Sequence, residues 1–170
     1  TLTGAKYGVY DSNNTLVETL TIGADCTATS KNLPYGHYSV KEISSSTGYY
    51  IDNNSYEANI NNSDIINVVS KENAIKGKIK ITKYDSETNS CNAQGEATLV
   101  GAKYGVYNSS NTLVETLTIG TDCTATSKDL PYGDYTITEK ESSKGYYINI
   151  NTFNTSIKEN KVYNVTVKEE

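Results

Sequence analysis

TLVGAKYGVYNSSNTLVETLTIGTDCTATSKDLPYG, Thr98 to Gly133, decides the fold because the chain has already said it once. Thr1 to Gly36 reads TLTGAKYGVYDSNNTLVETLTIGADCTATSKNLPYG. Gly4 and Gly101 set the period at 97 residues (101 − 4 = 97). Solenoid repeats run about 20–50 residues, so a period this long means whole domains in tandem. Short runs rich in Tyr, Val, Ile and Thr alternate with clusters of Asn, Ser, Asp and Gly, the pattern of an all-β sandwich. Near-verbatim copies suit a job done by number and length, such as a spacer or stalk.

Working outward, the pattern in the second copy predicts strands at 78–84, 102–107, 113–119, 134–140, 151–157 and 162–168. Asn108 to Asn111 reads as a hairpin turn, as does Asp11 to Asn14 in the first copy. Leu130-Pro131-Tyr132-Gly133 reads as a tight turn, with Pro131 pre-setting φ. No segment keeps a helical period. Domains are expected at 1–73 and 74–170, the first lacking its N-terminal strand and the second complete or nearly so. The segment from Ala74 to Ala97 occurs once, so its first-copy counterpart would precede Thr1. Either the series continues there, or another copy supplies the strand, as in strand-addition assemblies.

Strand alternation shows which side chains face inward. Ile79, Ile81 and Lys83 form one row, Tyr135, Ile137 and Glu139 a second, and Tyr163, Val165, Val167 and Glu169 a third. Three charged residues thus continue three apolar rows. Buried charge is costly unless paired, so Lys83, Glu139 and Glu169 are expected to meet, unless each marks a strand end already in solvent.

Composition excludes other classes. The formal net charge is −5, and Lys76, Lys78, Lys80 and Lys83 make the one basic cluster, so no nucleic-acid partner is expected. No apolar run approaches the roughly 18–20 residues of a membrane span. Fifteen tyrosines against one phenylalanine and no tryptophan suit strands whose rings lie half in a core. No phosphate loop, hydrolytic motif, cofactor motif or metal constellation is present. His37, the single histidine, becomes Asp134 in the other copy, so no catalytic histidine is shared. The chain is not expected to be an enzyme.

The runs Leu99 to Tyr107, Leu130 to Tyr135, Glu139 and Gly145-Tyr146 carry a resemblance, repeated at Leu2 to Tyr10, Leu33 to Tyr38, Glu42 and Gly48-Tyr49. They resemble the motifs of Cna B-type domains, the prealbumin-like β-sandwiches of Gram-positive surface adhesins and SpaA-type pilins. Ile75 to Asp85 resembles that family's first strand. The resemblance implies a self-made isopeptide bond in many members, from a first-strand lysine to a last-strand Asn or Asp, assisted by a buried Glu. Lys83 then fits the nucleophile and Glu139 the assisting acid, with Glu42 as its first-copy equivalent. The acceptor slot departs from the family pattern: it holds Glu169 here and Glu72 in the first copy, where a bulge could instead turn Asn73 inward. A noncovalent Lys83–Glu139–Glu169 cluster is therefore the expectation, with the crosslink as the alternative.

Cys26 and Cys123 occupy one repeat position, while the counterpart of Cys91 would precede Thr1. Two cysteines per full copy in an exported protein point to a Cys91–Cys123 disulfide, leaving Cys26 alone; free thiols are the alternative. The resemblance implies a rigid stalk at the bacterial cell surface. Its partners would be neighbouring repeats, with the cell wall reached through regions outside these residues. The alternative is an adhesin module that recognises a host glycan or matrix protein through tyrosines such as Tyr49, Tyr50, Tyr146 and Tyr147.

Overall fold

Turn residues set where the strands begin. Asn14 and Asn111 take left-handed φ values of 59° and 57°, which asparagine tolerates and a β-branched residue does not. Asp11 and Asn108 close the same turns, each accepting two backbone N–H groups on its Oδ1. The computed structural model describes residues 2–170 and contains strands but no helix. The chain divides into two units, Thr1–Ala74 and Ile75–Glu170.

The second unit is a two-sheet sandwich. One sheet is built from β8 (Lys103–Asn108), β9 (Leu113–Thr118), β12 (Gly133–Glu141) and β13 (Thr152–Ile157) in the order β13-β12-β8-β9. The other is centred on β7 (Lys76–Asp85). Along one edge β7 pairs antiparallel with β10 (Thr124–Thr126) and β11 (Leu130–Pro131), and along the other it pairs parallel with β14 (Val162–Glu169). Ile79, Ile81, Val165 and Val167 from this sheet close on Tyr104, Val106, Leu117, Ile137 and Ile157 from its partner. All are at most 8% exposed. The inward rows therefore stand as the alternation predicts, with Tyr163 only partly buried.

Two elements correct the sequence reading. Leu130–Pro131, read as a turn, is a strand, and β10 is a strand where none was predicted. Each holds two or three residues, too few for a period of its own, and pairing with β7 defines both. Tyr135 folds its hydroxyl back onto Pro131 O at 2.8 Å, as Tyr38 does onto Pro34 O at 3.0 Å.

The first unit keeps one sheet, β5-β3-β1-β2, from β1 (Lys6–Asp11), β2 (Leu16–Thr21), β3 (Gly36–Ser44) and β5 (Ser55–Ile60). A short ribbon joins β4 (Tyr49–Tyr50) to β6 (Asn73–Ala74). Among the described residues the counterparts of β10, β11 and β14, at 27–29, 33–34 and 65–72, are not strands. Each of the three is organised by β7 in the second unit, and no described residue takes that place in the first.

Gly77 shows how closely β7 is enclosed. A Cβ there would lie 2.9 Å from Lys161 O, 3.0 Å from Glu159 O and 3.0 Å from Ile157 Cγ2. Two of these neighbours are backbone and cannot swing aside. Gly77→Ala should destabilise the second unit by about 1–3 kcal/mol, read as a lower urea midpoint; an unchanged midpoint would contradict this packing.

Candidate functional site

Alternation along β7 brings Lys83 into the core directly after Ile79 and Ile81. Its side chain is 0% exposed. The Nζ donates to Glu139 Oε1 at 2.9 Å and Ser143 Oγ at 3.2 Å, and stands 3.7 Å from Glu169 Oε1. Glu139 comes from β12, beyond Tyr135 and Ile137, and Glu169 from the end of β14. The structure thus brings together the three charged side chains that the inward rows single out.

Other groups complete the cluster. The Tyr104 hydroxyl donates to Glu169 Oε1 at 2.8 Å. The backbone N–H of Asn149 donates to Glu139 Oε2 at 2.6 Å, and its side-chain amide reaches Lys168 O and Glu169 Oε1. The rings of Tyr104 and Tyr146 each lie 5.8 Å from the lysine nitrogen. Burial pushes the Glu169 carboxyl above the usual carboxylate range, partly offset by the Tyr104 hydroxyl and Lys83. Burial and the bond to Glu169 raise the Tyr104 phenol as well.

A second node adjoins it. Asp85, at the end of β7, accepts from the N–H groups of Thr88 and Glu87 and from the Tyr146 hydroxyl. These donors, Thr88 foremost, lower its carboxyl to about 2. Burial, then Asp85, raises the Tyr146 phenol to about 12. Tyr146 thus packs locally, whereas Tyr147 is 86% exposed.

Ser143, Tyr104 and Asn149 are the members that strand alternation does not reveal, since their roles depend on contacts across strands and loops. One signal for two of them was present: Ser46 and Tyr7 repeat them one period earlier, while Asp52 stands where Asn149 does. In the first unit Tyr7 donates to Glu72 Oε1 at 2.6 Å, and the Asp52 N–H donates to Glu42 Oε2. Glu72 occupies the acceptor slot. Asn73 is exposed and pairs with Tyr50, so no bulge turns it inward.

Glu42 is buried, no described residue places a cation beside it, and burial raises its carboxyl. A raised acid stabilises the fold while protonated. That contribution is full below the unfolded value of about 4.3 and is lost as pH rises through the higher folded value. The first unit should therefore lose stability across that window, and Glu42→Gln should flatten the slope. Denaturant melts followed through the first unit's amide resonances test this; a slope unchanged by the substitution would refute it.

Cys91 and Cys123 form a disulfide, with 5.9 Å between their Cα atoms, while Cys26 is free and exposed. The bridge adjoins the lysine: Lys83 N donates to Cys123 O at 2.8 Å. Among the described residues no group of His, Cys, Asp and Glu is placed to hold a metal ion. Nor, among the described residues, is any helix long and apolar enough to cross a membrane.

Residues 1–74 and 77–170 each match the SpaA prealbumin-like fold domain. The chain belongs to the SpaA family. Among solved structures, the Bacillus anthracis TIE protein is 28% identical with a TM-score of 0.87, over 100% of this chain and 31% of its own. The C-terminal fragment of the pilus adhesin SpaC from Lactobacillus rhamnosus GG has a TM-score of 0.56 at 15% identity, over 98% of this chain and 88% of its own, a likeness of fold. A trypsin-resistant surface protein of Streptococcus pyogenes is 35% identical over 60 residues, 35% of this chain and 11% of that protein. The SpaA pair thus spans a minor part of two of these relatives.

Proposed function

We propose that this chain is a pair of stalk or spacer modules of a Gram-positive cell-surface protein, outside the cell and without turnover chemistry. One observation carries the reading. The charged groups with the most unusual surroundings, Lys83, Glu139 and Glu169, have side chains at most 1% exposed and are engaged with one another. Groups so placed serve the domain's own cohesion and are out of reach of a substrate. The repeat supports the same reading, because near-identical copies add length. The modules would join neighbouring repeats, and regions outside these residues would reach the cell wall.

The cluster is proposed as noncovalent. Condensing the Lys83 ammonium with the Glu169 carboxyl would form an amide and release one water, so intact mass decides between the two. A reduced mass equal to that of the sequence supports the ion pair. A mass lower by one water, with the β7 and β14 peptides joined, replaces it with a crosslink.

Trypsin tests the stalk role. Under non-reducing conditions the second unit should survive trypsin although seven of its strand residues are lysines: Lys76, Lys78, Lys80, Lys83, Lys103, Lys140 and Lys168. Rapid cleavage within 75–170 would argue against a stalk. A binding role has one observation in its favour: Tyr147, Ile148 and Ile150 are 86%, 49% and 91% exposed on one segment. Saturable capture by a matrix protein or glycan surface, abolished by Tyr147→Ser, would move the assignment to an adhesin module.

A further inference from the structure

The two copies are not equally alike along their length. Residues 1–36 and 98–133 agree at 31 of 36 positions, whereas 37–73 and 134–170 agree at 14 of 37. In the less alike part the shared residues include Tyr38, Glu42 and Ser46, and these are buried in both units, as Tyr135, Glu139 and Ser143 are. That is what a common fold requires. In the more alike part exposed residues are shared as well. Ser12, Lys31 and Tyr35 match Ser109, Lys128 and Tyr132, and all six are exposed. Surface substitutions of this kind leave stability nearly unchanged, so folding does not hold these side chains in place. A surface kept by both copies suits a contact made by both copies.

That surface borders a hollow. In the second unit a cavity of about 520 Å³ opens where the turn after β8 meets residues 128–135, and Asn108, Ser109, Lys128, Asp129, Tyr132 and Asp134 are among its lining. Ligand sites span roughly 300–1,000 Å³. The first unit is hollowed at the same corner, to about 210 Å³, with Asp11, Ser12, His37 and Tyr38 where the second has Asn108, Ser109, Asp134 and Tyr135. Asn108 Oδ1 accepts the N–H groups of Ser110 and Thr112, and Asp134 Oδ1 accepts from Ser156. The Asn108 amide nitrogen and Asp134 Oδ2 are left for a ligand. One lysine stands against two aspartates here, and the first unit's hollow holds Asp11 and Glu57 without a lysine, so a polyanion is disfavoured. A protein partner asks for an apolar centre, whereas Tyr132, 39% exposed, is the one exposed aromatic of the lining, Tyr135 being buried.

We propose that this corner of the second unit binds a short neutral saccharide, and that the first unit offers a shallower form of the same site. Tyr132 covers the apolar face of a sugar ring, as an amphipathic aromatic can while its hydroxyl stays in water. Sugar hydroxyls both donate and accept, which matches the mixed set around the hollow. Asp134 accepts, Lys128 and the Asn108 amide donate, and Ser109 does either. Ser109, Lys128 and Tyr132 are the part common to both units. His37 in place of Asp134 and Asp11 in place of Asn108 alter the polar rim of the first. The site does not depend on the stalk role, since a module that adds length can also carry it.

The test applies residues 1–170 to an array of neutral oligosaccharides of mucin type and of bacterial wall polysaccharides, with sulfated and sialylated glycans as charged controls. Saturable binding to a neutral member upholds the site, and the arm that binds names the source. Tyr132→Ser should weaken that binding at least roughly tenfold, and Tyr35→Ser should weaken it less, because the first hollow is the smaller. Tyr132 is exposed, so its variant should keep the urea midpoint of the parent chain. Titrating the parent with the bound sugar should shift the amide resonances of Ser109 and Gly133, which locates the site without any substitution. Binding to no neutral member, binding to charged glycans alone, unshifted resonances at Ser109 and Gly133, or equal binding by Tyr132→Ser would each overturn the proposal. Loss of binding in Tyr147→Ser but not in Tyr132→Ser would overturn it too, and would place the ligand on the 147–150 segment.

Discussion

Lys83→Met should lower the stability of the second unit by about 3–5 kcal/mol. For a domain of this size that is a fall of roughly 15–25 °C in its thermal midpoint. Methionine fills similar space, so the loss is electrostatic in origin rather than a cavity. Glu139 is left with the Asn149 N–H, and Glu169 with Tyr104 and the Asn149 amide, with no cation between them. Two controls separate this account from a packing defect. Lys83→Met combined with Glu139→Gln should recover part of the loss, since Gln keeps an acceptor for Asn149 without the charge. The deficit should also shrink as pH falls and the carboxyls take up protons. A deficit indifferent to both pH and Glu139→Gln would mean the cluster is not an ion pair.

Cys91→Ser should cost the second unit about 3–4 kcal/mol on the chain-entropy account for a bridge between residues 32 apart. Cys91 is the better site to change, because it is exposed whereas Cys123 is 2% exposed and packed. Urea unfolding with and without reductant measures the effect, and reduction should leave the variant's midpoint unmoved. The bridge also holds Cys123, whose carbonyl takes the Lys83 N–H, against the lysine strand. Cys91→Ser and Lys83→Met should therefore combine non-additively, since neighbours that share a support couple by about 0.5–3 kcal/mol. Strict additivity would show that the bridge and the cluster act independently.

The repeat and the alternation of β7, β12 and β14 were legible because each has a local signature. Period-two patterning needs only the strand itself, so Lys83, Glu139 and Glu169 could be placed on inward rows before any sheet was known. Ser143 and Asn149 sit in the 142–151 loop, where no period constrains direction. Tyr104 faces inward on β8, yet its tie to Glu169 is a contact between residues 65 apart. β10 and β11 were misread for a related reason: strands of two or three residues owe their form to the neighbour that pairs with them.

Read as a sequence alone, the chain is two copies of one all-β module with an assigned buried side to each long strand, and Lys83, Glu139 and Glu169 either meet in the core or end in solvent. Those facts follow from local periodicity and from a repeat of 97 residues. Folding shows that Lys83 is satisfied, by Glu139, Ser143 and Glu169. Satisfaction of a buried polar group depends on which strand lies opposite, and the identical segments Thr-Ala-Thr and Leu-Pro form strands at 124–126 and 130–131 but not one period earlier. The physical reason is non-local pairing: a strand's hydrogen bonds and a carboxylate's counter-ion both come from elsewhere in the chain.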